Sequence, residues 1–72
     1  MFRITKYEDF GNGRQFPKKY LYDNRKSYDT QLKSKKTYFG KIGVRYITIL
    51  VCEELLNNNW VLLEEVIIPG SR

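Results

Sequence analysis

Val44-Arg45-Tyr46-Ile47-Thr48-Ile49-Leu50-Val51-Cys52 decides the fold of this chain. β-Branched and aromatic side chains dominate it, and such residues are at ease on a pleated, extended backbone. Both alternating faces are apolar, with Val44, Tyr46, Leu50 and Cys52 on one side and Ile47, Ile49 and Val51 on the other. A strand apolar on both faces reads as central and covered. Downstream, Trp60-Val61-Leu62-Leu63-Glu64-Glu65-Val66-Ile67-Ile68 reads the same way with an acidic interruption, and Pro69-Gly70 ends it. The dense apolar run from Ile42 to Ile68 is where a core must be built.

The link between the two strands is Leu55-Leu56-Asn57-Asn58-Asn59. Asparagine tolerates the left-handed backbone of tight hairpin turns. A two-residue turn at Asn58-Asn59 sets Glu53 against Glu64, and like charges opposite one another destabilise a ladder. A three-residue turn, Asn57 to Asn59, pairs Leu56 with Trp60, Leu55 with Val61, Leu50 with Val66 and Ile49 with Ile67, and is the expected register. The competing reading is a helix from Glu53 to Val66, because Leu56, Trp60 and Leu63 keep helical spacing. Three consecutive asparagines make a poor helix interior.

Upstream, Phe2 to Tyr7 alternates, with Phe2 and Ile4 on a core face and Arg3 and Thr5 on the other. Phe10-Gly11-Asn12-Gly13-Arg14 carries the Asn-Gly signal of a hairpin. A phosphate-cradling loop would need more glycines and a following helix, which Pro17 argues against. Gln15 to Tyr22 is the return strand, at a sheet edge because of Pro17, and Asp23-Asn24 is a turn. From Arg25 to Lys36 the pattern allows a short helix or a mobile basic loop. Ser27 is the candidate N-cap, and Tyr28 and Leu32 are the one buried pair. Thr37-Tyr38-Phe39 reads as a short strand. Gly40-Lys41-Ile42-Gly43 reads as a turn or bulge between strands, since a nucleic-acid-clamping Gly-x-x-Gly loop joins two helices and strand chemistry follows here.

The expected fold is all-β or β-rich α+β in a single domain, 1–72. It is a small antiparallel sheet or curled, SH3-like barrel of four to five strands, with room for one short helix near 28–36. Its centre is the pair 43–56 and 60–68. A domain of 72 residues buries only about 60% of the surface of its unfolded chain, so a homodimer would add useful burial. The single cysteine, Cys52, allows no internal disulfide and suits a buried position in a reducing compartment. The Met1-Phe2-Arg3-Ile4-Thr5-Lys6 start lacks a signal-peptide apolar core, and the run Ile47 to Cys52 is too short to span a bilayer. No membrane association is expected. The chain has no alanine and no histidine but much Lys, Asn, Tyr and Ile, the usage of an AT-rich genome. The expected setting is the cytoplasm of a low-GC bacterium or of a phage-infected cell.

Charge is unevenly placed. Residues 1–47 carry twelve Lys/Arg against Glu8, Asp9, Asp23 and Asp29, while residues 48–72 carry Arg72 against Glu53, Glu54, Glu64 and Glu65. The same basic segment holds ten of the eleven aromatic residues. Lysine and arginine neutralise phosphates, and aromatic faces stack bases. Phe2, Phe10, Phe16 and Phe39 are expected inside and the tyrosines, with their polar tips, outside. The candidate binding face is Lys18, Lys19, Tyr20, Tyr22, Arg25, Lys26, Tyr28, Lys33, Lys35, Lys36, Lys41 and Arg45.

Catalysis is not expected. Histidine, the commonest general base and metal ligand, is absent, and one cysteine makes no thiolate metal site. The four glutamates read as gatekeepers of an apolar hairpin rather than as an acid–base pair. No metal and no cofactor are expected. Non-catalytic binding of nucleic acid, or of a nucleic-acid-handling complex, is the leading functional expectation. A small phage- or mobile-element-type inhibitor docking on an acidic protein surface is the alternative, because tyrosine and arginine are also interface residues. A binder of a small phosphorylated ligand comes third.

Overall fold

The computed structural model describes residues 1–42 and 46–70. Four strands and one helix follow in the order β1 (Phe2–Asp9), β2 (Arg14–Tyr22), α1 (Arg25–Ile42), β3 (Ile47–Leu56) and β4 (Asn59–Ile68). The strands form one antiparallel sheet, β2-β1-β3-β4. The sheet is not closed, so the β-rich α+β expectation holds in its open-sheet form and the barrel does not form. β3 lies inside the sheet, where its two apolar faces placed it. Residues 43–45, the expected start of that strand, lie outside the described residues.

The helix covers one face. Phe2, Ile4, Leu50 and Cys52 point from β1 and β3 toward Tyr28 and Leu32 of α1, and these six residues form the core cluster. Tyr22, Phe39, Val66 and Ile68 pack around its rim. Phe2 stacks on Tyr28 with ring centroids 4.9 Å apart, a contact worth about 0.5–1.5 kcal/mol beyond simple burial. Among the described residues, no helix is long and apolar enough to cross a membrane.

The helix is longer than its sequence pattern promises. The N-cap is Asn24, not Ser27: its Oδ1 accepts a hydrogen bond from the Ser27 backbone N–H at 2.8 Å. Its carbonyl accepts the first helical bond from Tyr28 N–H at 3.1 Å. Ser27 is therefore the third helical residue, whose orphan N–H the cap satisfies. Thr37-Tyr38-Phe39 continues the helix instead of forming a strand, and Gly40 lies in it rather than in a turn. Gly43 is outside the described residues. The stripe explains the extension. Tyr28, Leu32, Lys35 and Phe39 recur at i, i+4, i+7 and i+11 on the face toward the sheet, so Phe39 anchors a third turn.

The β3–β4 turn is Asn57-Asn58, beginning where the expected three-residue turn begins but one residue shorter. Both asparagines are left-handed, at φ 50° and 66°, as a two-residue hairpin turn demands. Leu56 then stands opposite Asn59, Leu55 opposite Trp60 and Glu54 opposite Val61. A bulge at Leu63 absorbs one residue between the Glu53–Leu62 and Cys52–Glu64 pairs. Beyond it the expected pairs Leu50–Val66 and Ile49–Ile67 form. The Glu53–Glu64 clash is avoided by the turn, which sets Glu53 opposite Leu62.

The opposite sheet face carries no helix. Arg3 and Glu53 face each other there across β1 and β3. Arg14, on the β2 edge, reaches Glu65 on the β4 edge at 2.9 Å. Three strand spacings would separate those edges by about 14 Å in a flat sheet, so the sheet curls over this face. Thr5 and Ile49 are buried here too. Thr5 sits between Arg3 and Tyr7 along β1, and Ile49 stands opposite Tyr7, so long side chains rather than a second layer shield them.

Two of the four phenylalanines are not inside. Phe10 and Phe16 are 53% and 62% exposed and meet edge to face at 5.9 Å beside the β1–β2 turn. Phe16 occupies a left-handed conformation, φ 55°, at the bulge between the Lys6–Lys18 and Glu8–Gln15 pairs. That backbone turn rotates its ring away from the core.

Candidate functional site

Five of the basic side chains are already engaged. Arg3 pairs with Glu53, Lys6 with Glu8, Arg14 with Glu65, Arg25 with Asp29 and Lys36 with Glu64. Among the described residues, no carboxylate lies within ion-pair distance of Lys18, Lys19, Lys26, Lys33 or Lys35. The unbalanced positive charge is thus smaller than the sequence suggests, and it is concentrated on β2 and on α1.

The two elements bring part of it together. Lys18 and Tyr20 lie on the helix side of β2, paired with Lys6 and Ile4 of β1. Lys35 lies on the sheet-facing flank of α1. Its ammonium sits 3.7 Å from the centre of the Tyr20 ring, and that of Lys18 sits 5.6 Å from it. Two lysines therefore converge on one half-buried tyrosine, whose quadrupole offsets their mutual repulsion. Tyr38, 58% exposed, follows Lys35 by three residues and so neighbours it on the helix. Its ring meets Phe39 edge to face at 5.2 Å.

The other expected binding residues divide. Lys19 lies on the uncovered face of β2. Lys26 and Lys33 are exposed on the outer side of α1, away from the Lys35 flank. Lys36 lies about 100° round the helix from Lys35 and faces Glu64 of β4 at 3.5 Å. Arg25 spreads over the Phe2 and Tyr28 rings at 5.7 and 5.8 Å. Lys41 falls in the last turn of α1, and Arg45 lies outside the described residues.

Tyr28 does not belong to a binding face. It is 2% exposed, because the helix needs a large side chain over Phe2 to hold it on the sheet. Burial pushes its hydroxyl pKa well above the usual value, and a hydrogen bond to Cys52 adds to the rise. Cys52 is buried, and desolvation likewise raises its thiol pKa. Tyr22 is half-buried on the rim of the core, and burial, then the nearby Tyr20, raises its pKa. These three groups stay neutral at physiological pH and belong to the core.

Sequence reasoning missed Tyr38, assigning it to a strand. The Lys35-x-x-Tyr38 spacing carries the signal once the segment is read as helix. It also missed the exposed Phe10–Phe16 pair, whose position depends on the bulge. Comparison with known families, characterised proteins and solved structures gives no match.

Proposed function

We propose that this protein is a non-catalytic nucleic-acid-binding module that takes a single strand along the edge formed by β2 and α1. Lys18 and Lys35 neutralise phosphates, Lys19 extends the charge along β2, and the exposed ring of Tyr38 offers a stacking surface. The observation that carries this reading is the convergence of Lys18 and Lys35 on Tyr20 with no described carboxylate in ion-pair reach. Arg3, Lys6, Arg14, Arg25 and Lys36 are offset by acids, and Lys26 and Lys33 stand apart on the outer side of α1. One face of Tyr20 is already occupied by Lys35, so this tyrosine positions cations rather than stacking a base.

Fluorescence anisotropy with labelled single- and double-stranded oligonucleotides across a salt series tests the proposal. Binding should favour single strands, and log K should fall with log salt by about 0.7 per phosphate neutralised. No binding at low salt would overturn it.

A second reading, docking on another protein as a small inhibitor, is favoured by the exposed apolar side chains of Leu56, Val61, Leu62 and Ile67. It predicts a stoichiometric complex with one protein and indifference to free oligonucleotides.

A further inference from the structure

The two edges of the sheet are built differently. β2 is interrupted by Pro17, which has no N–H to donate, and by the left-handed Phe16 beside it. β4 runs from Asn59 to Ile68 without a proline and has a strand, β3, on one side only. Its side chains are unusually apolar for an outer strand: Val61, Leu62, Leu63 and Ile67 are all exposed. A long apolar edge with free backbone groups is a template for another strand.

The register of β4 indicates which strand. Antiparallel pairing of two copies about a two-fold axis at full overlap sets Asn59 opposite Ile68 of the second copy, Trp60 opposite Ile67, Val61 opposite Val66, Leu62 opposite Glu65 and Leu63 opposite Glu64. Opposed side chains must also share a sheet face. The β3–β4 pairing puts Trp60, Leu62, Glu65 and Ile67 on the uncovered face and Asn59, Val61, Glu64, Val66 and Ile68 on the helix face. Every full-overlap pair outside the central bulge then matches like face with like face. This holds because the extra residue, Leu63, sits next to the two-fold centre. Shifting in one direction by one residue places Glu64 against Glu64, and by two places Glu64 against Glu65, which like-charge repulsion opposes. Shifting the other way by one opposes side chains of different faces, Leu62 against Glu64, and by two leaves Ile67 and Ile68 opposite the turn residues Asn58 and Asn57. At full overlap no carboxylate meets a carboxylate directly. Glu64 and Glu65 also keep their partners Lys36 and Arg14 within their own chain.

We infer that β4 pairs with β4 of a second copy in this register, giving a symmetric dimer with one continuous eight-stranded sheet. The interface is isologous, so every pair occurs twice. It leaves the β2–α1 edge at the two far ends of the sheet, and it stands independently of the nucleic-acid reading.

Sedimentation over a concentration series tests the dimer, with two substitutions at exposed Leu62 reporting the register. Leu62→Glu sets a carboxylate against Glu65 of the other copy at two symmetric positions and should weaken dimerisation by about tenfold. Leu62→Lys sets an ammonium there and should leave it unchanged or tighter. Circular dichroism of both variants should match the parent, because the side chain is 57% exposed in the single chain. A parent chain that sediments as a monomer throughout would overturn the inference. Equal weakening by both substitutions would overturn it too, as would a monomer that accepts an extended strand of a different protein.

Discussion

Arg3 and Glu53 stand opposite one another on β1 and β3, and the guanidinium reaches a single carboxylate oxygen from both Nε and Nη2, at 2.9 and 2.8 Å. The same guanidinium lies 4.1 Å from the centre of the Trp60 ring. One arginine thus ties the first strand to the third and, through the tryptophan, to the fourth. Both side chains are about four-fifths buried, so solvent screens the pair less than an open surface pair. A double-mutant cycle on Arg3→Met and Glu53→Gln should give a coupling of about 1 kcal/mol in chemical denaturation. Coupling indistinguishable from zero would reduce the pair to an incidental contact.

Leu50 is fully buried at the middle of β3, beneath the helix. Leu50→Ala should cost about 2–5 kcal/mol, measured by urea unfolding. In a domain this small, that is a large part of its stability. A negligible loss would remove Leu50 from the core.

Asn58 takes a left-handed conformation at the second central position of the β3–β4 turn. Asn58→Gly should raise stability by a few tenths of a kcal/mol, because Asn-Gly suits this turn best. Asn58→Ala should lower it by about 1 kcal/mol. Thermal melts of the two variants should therefore move in opposite directions. Movement in the same direction would contradict the two-residue turn.

Alkaline pH should unfold the protein through Tyr28. Its hydroxyl ordinarily titrates at 10.0, and burial raises that value in the folded chain. Above the ordinary value the unfolded chain loses the proton while the folded chain retains it. Stability then falls with rising pH. The contribution is fully present below pH 10 and disappears as pH climbs toward the raised folded value. Tyr28→Phe should flatten this alkaline fall in Tm, leaving the part due to Cys52 and Tyr22, whose values burial also raises. An unchanged alkaline slope in Tyr28→Phe would mean that Tyr28 titrates in solvent.

Lys18→Gln with Lys35→Gln should make the salt dependence of single-strand binding shallower by about 1.4, or about 0.7 for each phosphate contact removed. Lys33→Gln, on the outer side of the helix, should change it little. An unaltered slope in the double variant, with binding retained, would move the nucleic-acid contact away from the β2–α1 edge.

The strands were legible because their signals are local. Alternation placed Phe2 and Ile4 inward, and Asn12-Gly13 marked the first hairpin. β-Branched residues marked β3, and the glutamates excluded a like-charged register. The helix was half legible: Tyr28 and Leu32 showed its face, but Asn24 read as a turn residue, and Tyr38 and Phe39 carry strand propensity. Packing of Phe39 against the sheet rim overrode that propensity. The candidate site was legible as composition but not as geometry. Lysines 33, 35 and 36 look equivalent in the sequence, yet only Lys35 reaches Tyr20, because neighbouring helical residues point about 100° apart.

What the sequence by itself determined is the four strands that form the sheet, though not that Thr37–Phe39 is helix, their antiparallel hairpins, the central place of β3 and the burial of Cys52. These follow from side-chain shape, alternation and turn chemistry acting over a few residues. Tertiary structure decided the rest: which lysines remain without an acidic partner, which phenylalanines leave the core, where the bulge at Leu63 falls, and which edge of the sheet stays open. Each of these depends on residues far apart in the chain. Arg14 and Glu65, fifty-one positions apart and on opposite edges, meet only because the sheet curls. Pairing energies of that kind exist only once the backbone has brought the partners within a few ångströms.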